Sequence, residues 1–148
     1  MPILNYTTTV GVNKSVADIQ KLLSRRVAAL ATHYDEDGNA VGLDLTIRTP
    51  HGPRSFSLPV NVEGAHAALR ADPDANRPSY KTLEHAHRVA WRIAYDWLKV
   101  QVALIDAQMA TMDQVMLPYL ITPGGATLYD NYKAREQAAL ESGDTNGR

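Results

Sequence analysis

Cysteine is absent from the 148 residues of this chain. Disulfides, Cys-ligated zinc or iron–sulfur sites and thiol nucleophiles are therefore excluded. No charge of one sign dominates: fifteen Lys and Arg stand against sixteen Asp and Glu, a net charge of −1. That balance excludes a strongly basic nucleic-acid coat and an acidic nucleic-acid mimic. No apolar run approaches the roughly 20 residues of a bilayer span, and the opening MPILNYTTTV lacks the basic-then-apolar order of a signal peptide. Motifs with a stated chemistry are equally scarce. There is no Gly-rich phosphate loop with a Lys, no G-x-S-x-G elbow and no H-E-x-x-H. What is present, 45% hydrophobic and 21% charged residues, is the composition of a globular domain. A chain of this length buries roughly 68–70% of its unfolded surface, which suffices for a single domain over residues 1–148. A soluble, cytoplasmic protein with no membrane partner is expected.

Residue patterning changes near position 62, from mainly β (5–62, with one helix) to mainly α (63–140). Asn5 to Val12 is rich in β-branched residues and reads as a first strand. Ser15 offers an N-cap to a helix of about ten residues with Val16, Ile19, Leu22 and Leu23 on one side. Val27–Tyr34, Val41–Thr49 and Arg54–Val60 read as three further strands, with Val41, Leu43, Leu45 and Ile47 alternating on one face. Asp35-Glu36-Asp37-Gly38 and Pro50-His51-Gly52-Pro53 are the turns between them. The predicted fold class is α+β: an antiparallel sheet in the order β-α-β-β-β, packed by a long central helix and shorter C-terminal helices. Asn61 caps a helix to Leu69, and Met112–Leu117 and Ala126–Leu140 supply the last helices. Residues 141–148 read as a frayed tail.

The long helix carries the most information. Thr82 to Met109 contains neither Gly nor Pro. Ala86, Ala90, Ile93, Trp97, Val100 and Leu104 form one apolar row, and Trp91, Ala94, Leu98, Val102 and Ile105 a second. A helix apolar on two faces is buried on two faces. This predicts a homo-oligomer joined through residues 82–109, the alternative being a C-terminal segment that covers the second face. The remaining stripe holds His85, Arg88, Arg92, Asp96 and Lys99. Arginine beside aromatic residues suits phosphate, carboxylate or stacked bases. Arg88, Arg92, His85 and Lys81 are thus the expected ligand-binding cations, with Trp91 and Tyr95 as packing or stacking groups; the alternative is a solvated charged face. His85 and His87 diverge too far around the helix to share a metal, and His33, Asp35 and His51 are the candidates for a dispersed hydrolytic site. No cofactor and no metal are implied.

Tyr6-Thr7-Thr8, Asp37-Gly38-Asn39, Phe56-Ser57-Leu58-Pro59, Arg88-Val89-Ala90-Trp91-Arg92-Ile93 with Asp96-Trp97, Leu117-Pro118-Tyr119 and Thr127-Leu128-Tyr129 span most of residues 5–130. In these segments the chain resembles a group of small phage and prophage proteins. The resemblance implies a phage accessory protein in the bacterial host cytoplasm and no particular reaction.

The expected function is a non-catalytic oligomer that binds a small anionic or nucleotide-like ligand, or a host protein, with an anti-defence role. A nucleic-acid-associated protein of phage replication or recombination, with Arg70 to Arg92 as its footprint, is the alternative; the net charge disfavours it. An enzyme with a dispersed His/Asp site is the second alternative.

Overall fold

One helix, three consecutive strands and four further helices follow one another along residues 2–145, the part of the chain described by the computed structural model. They are α1 (Val12–Leu23), β1 (Ala29–Tyr34), β2 (Ala40–Thr49), β3 (Gly52–Ser57), α2 (Val62–Ala71), α3 (Leu83–Asp106), α4 (Met112–Met116) and α5 (Leu128–Thr145), with 3-10 turns at Pro78–Lys81 and Leu117–Tyr119. The fold is α+β, an antiparallel meander in the order β1-β2-β3 under a long central helix.

Alternation along β2 decides which face of the sheet is covered. Leu43, Leu45 and Ile47 are buried, with Phe56 and Leu58 beside them from β3 and its exit. Against this face pack Val16, Ile19 and Leu23 of α1 and Trp91, Leu98 and Val102 of α3. Val41 departs from the expected pattern and is exposed. The cause is a β-bulge: His33 pairs with Gly42 but Tyr34 pairs with Ala40, so Val41 is an extra residue. The bulge turns Ala40 inward, where its carbonyl accepts the Trp91 indole N–H at 3.0 Å. The opposite sheet face is polar and uncovered, with His33 Nε2 2.8 Å from Asp44 and a Thr46–Ser55 hydroxyl pair at 2.8 Å.

The strand expected at Asn5–Val12 does not form. Turn bonds Tyr6 N to Ile3 O and Thr8 N to Asn5 O close the backbone there, and Asn5 sits at φ 63. Ile3 and Tyr6 instead join Leu69, Ala75, Ala86 and Val89 in a second core cluster. Burial of these side chains in that cluster outweighs the local β preference. Helix α1 begins at Val12, so Ser15 lies inside it, fully buried, rather than capping it.

Both apolar faces of α3 meet other parts of its own chain, the second only in part. One meets the sheet and α1, and the other meets α2 and the N-terminal segment. Of the large residues in the two rows, Val100 is 60% exposed, and Ile93, Trp97, Leu104 and Ile105 are half-buried. The helix stops at Asp106 rather than Met109. Gln108 N–H donates to Ile105 O and Met109 N–H to Leu104 O, with Gln108 at φ 60. This is the left-handed helix stop usually given to Gly, here built on a residue with a Cβ. Gln108→Gly is expected to raise the unfolding free energy by about 0.5–1 kcal/mol, since only the side chain opposes that backbone conformation. A urea midpoint that falls instead would show that the Gln side chain contributes more than its strain costs.

The tail predicted to fray from residue 141 is helical to Thr145, and positions 146–148 lie outside the described residues. Among the described residues, no helix is long and apolar enough to cross a membrane.

Candidate functional site

Helices α1 and α3 run side by side in the same direction. Arg92, early in α3, reaches Ser15 and Asp18 early in α1, whereas Arg26, just past the end of α1, grips the Asp106 carboxylate at 2.8 and 3.1 Å. Their amino-terminal ends consequently lie together, and the partial positive charges of both helix dipoles add at one place.

Small-ligand sites are clefts of roughly 300–1,000 Å³, and one of about 530 Å³ opens at this junction. Gly11, Val12 and Asn13 of α1, Gly38 and Asn39 of the β1–β2 turn, and Leu83, Glu84, His87 and Arg88 of α3 line it. The two helix ends differ. Thr82 caps α3, its hydroxyl accepting from His85 N at 3.2 Å. The N-cap of α1 is Gly11, with no side chain to accept from the first-turn amides. Those amides have no intrahelical acceptor, and Gly11, Val12 and Asn13 border the cleft.

Arg88 adds a guanidinium that is only loosely engaged, at 3.3 Å from both Glu84 Oε1 and His85 Nδ1. His87 adds an imidazole whose Nδ1 is shielded from solvent and, among the described residues, has no hydrogen-bond partner. The turn opposite is rigid. Asp35 accepts from the amides of Asp37 and Asn39 at 3.0 and 2.9 Å, and Gly38 holds φ +80. Leu83 and Val12 supply apolar wall beside these donors. Such a cleft can hold an anion with a modest apolar part.

The six residues expected to bind ligand do not form one site. Arg88 lines the cleft. His85 is buried beneath it, Nε2 to the Tyr6 carbonyl at 2.6 Å, which leaves Nδ1 to accept from Arg88. Lys81 turns away and caps the end of α2, donating to the carbonyls of Leu69 and Arg70 at 3.2 Å. Trp91 is fully buried in the core. Arg92 bonds Asp18 at 3.0 Å and lies over the Tyr95 ring at 4.3 Å, so both are engaged within the chain. Within the stretch Arg70 to Arg92, Lys81 and Arg92 are engaged inside the chain, whereas Arg70 and Arg77 are exposed. Of His33, Asp35 and His51, His33 pairs with Asp44, Asp35 closes its own turn, and His51 sits at the other end of β2. Among the described residues, no three His, Asp or Glu side chains gather to hold a metal.

Sequence reading missed the amino-terminal end of α1, Asn39 and His87. Gly11 was the one available signal, since a Gly ahead of an amphipathic run is an acceptable but side-chain-free cap.

Three carboxyls sit below their ordinary value of 3.8. Asp18 is held down by Lys14 and then Arg92, Asp35 by the amide of Asn39 and, more weakly, by nearby His87, and Asp72 by the amides of Asp74 and Ile3. A carboxyl depressed in the folded state stabilises above its unfolded value, and that contribution disappears as pH falls through the folded value. Stability is therefore expected to be flat from about pH 7 to 5 and to fall below about pH 4. Urea midpoints at pH 6 and pH 3 test this, and a midpoint equal at both would contradict it.

The chain matches no family model, no curated protein and no solved structure in comparisons with each.

Proposed function

We propose that this protein is a non-catalytic binder of a small anionic ligand, nucleotide-like in class, held in the cleft at the paired ends of α1 and α3. The observation that carries this reading is the convergence of an uncapped helix end, a second helix end, Arg88 and His87 on one cavity. Amide donors and a guanidinium suit phosphate or carboxylate oxygens. The wall at Leu83 and Val12 suits a base or another apolar part. In the phage setting that the sequence resemblance implies, capture of such a ligand would remove a host signal.

Thermal unfolding with inorganic phosphate and with mono-, di- and cyclic nucleotides tests the reading. A ligand at 100 times its dissociation constant adds about 2.7 kcal/mol, which for a chain of this size raises the midpoint by roughly 5–10 °C. Arg88→Gln is expected to remove most of that rise. If no member of the series shifts the midpoint, or if Arg88→Gln leaves the shift unchanged, the reading fails.

A further inference from the structure

The three-stranded sheet has two edges, and the chain closes one of them. Along β3, Phe56 bridges Leu120, and the Ser55 carbonyl accepts from the Ile121 amide at 2.9 Å. Strand β1 pairs with β2 alone, and among the described residues no other backbone segment bonds to it. The register shows which groups are left over. Leu58 N–H donates to Leu43 O, so Leu43, Leu45 and Ile47 of β2 turn their main-chain groups toward β3. Gly42, Asp44 and Thr46 turn theirs toward His33, Ala31 and Ala29. The N–H and C=O groups of Leu30 and Thr32 therefore point out of the open edge.

Folded proteins usually blunt such an edge with Lys, Pro or an inward charge. Ala29–Tyr34 has the sequence ALATHY, with no Lys, Arg, Asp, Glu or Pro. The neighbouring flank of α1 is marked by Gln20, whose amide reaches Thr32 Oγ1 at 3.3 Å. Asn13, Ala17 and Ser24 continue that flank at spacings of four, three and four, and none of the four residues is charged.

Charge at the two ends of β1 identifies the occupant. Residues 21–28, ahead of the strand, hold Lys21, Arg25 and Arg26 and no Asp or Glu. Residues 35–39, after it, hold Asp35, Glu36 and Asp37 and no Lys or Arg. Neighbours from other elements do not cancel this difference. Arg26 is taken by Asp106, Arg48 and Asp113 both border Arg25, Lys14 is paired with Asp18, and Arg88 with Glu84. Among the described residues, Lys21 and Arg25 at one end and Glu36 and Asp37 at the other form no ion pair. A second β1 laid antiparallel sets the cationic end of each copy against the acidic end of the other. A parallel one would set like against like. With the two-fold axis at Ala31, Leu30 of each copy faces Thr32 of the other and exchanges both main-chain bonds, and Tyr34, 60% exposed, comes opposite Ala28. We propose that β1 pairs antiparallel with β1 of a second copy, joining two three-stranded sheets into one continuous sheet.

This proposal does not use the anion reading, because its readouts are mass and amide exchange. Sedimentation of the full chain at about 100 μM is expected to give twice the 16.3 kDa of one copy, as a micromolar dissociation constant requires. Exchange of the Leu30 and Thr32 amides is expected to slow at least tenfold between dilute and concentrated protein. A dimer formed elsewhere would leave them fast. Lys21→Glu with Arg25→Glu, and separately Glu36→Lys with Asp37→Lys, are each expected to weaken dimerisation at least tenfold, and mixing the two variants to restore it as a heterodimer. Circular dichroism of each variant verifies its fold. A chain that stays monomeric at this concentration, a dimer whose Leu30 and Thr32 amides exchange unprotected, or a dimer indifferent to both reversals would each overturn the proposal.

Discussion

Trp91→Ala is expected to remove about 3–5 kcal/mol of unfolding free energy and to lower the thermal midpoint by roughly 10 °C or more. Trp91 is the largest of the fully buried side chains and packs between α1 and the sheet. Its loss leaves a cavity that Leu43, Leu45 and Phe56 cannot close, since each is fixed by strand pairing. It also strands a carbonyl: Ala40 O is buried at the bulge and accepts the indole N–H. Trp91→Phe isolates the second effect. Most of the ring area returns, the carbonyl stays unpaired, and the expected cost is about 1–3 kcal/mol. Because Trp91 lies beneath the cleft wall and not on it, Trp91→Phe should leave anion affinity within about threefold. A ranking in which Phe costs as much as Ala, or an Ala variant that loses less than about 1 kcal/mol, would contradict the packing described here.

The second large effect separates stability from binding at a single atom group. Gly11→Asp places a carboxylate at the N-cap of α1. The backbone there, φ −65 and ψ 155, already has the extended geometry a cap requires, and a Cβ would meet nothing within 4 Å. Asp should therefore accept the first-turn amides and complement the dipole, adding about 0.5–1 kcal/mol. The same carboxylate fills the anion position and repels any anion that approaches. Two like charges about 5 Å apart near a protein surface cost on the order of 3 kcal/mol, so affinity is expected to fall at least tenfold. Gly11→Asn, a neutral cap, should stabilise similarly and weaken binding less. Calorimetric titration together with thermal unfolding reads both quantities. Binding that survives Gly11→Asp, in a variant whose midpoint has risen, would mean that the cleft amides are not the donors.

Legibility in the sequence followed the range of the interactions. The strand alternation at Leu43, Leu45 and Ile47, the Asp35–Gly38 turn, the Asn61 cap and the two-faced apolar pattern of α3 were all readable, because each depends on neighbours within a turn or two. The length of α3 was overread by three residues, since its stop at Gln108 uses a side chain that ordinarily disfavours a left-handed backbone. The first strand was misread because Ile3 and Tyr6 are claimed by a cluster more than 60 positions away. At the candidate site, Arg88 was foreseen, but its stripe-mates were not separable from it. Whether an arginine on a helix is a free donor depends on what faces it: Asp18 faces Arg92, and the open cleft faces Arg88.

By itself, then, the amino-acid order determined the α+β class, the single long helix with two apolar sides and the lack of thiol or motif-based chemistry, all properties set by composition and local periodicity. Tertiary packing alone decided which partner covers each side of α3, the parallel seating of α1 that joins two helix ends at one cleft, and which edge of the sheet stays open. Those outcomes depend on side chains far apart in the chain competing for the same surface, and that competition leaves no mark on residue spacing.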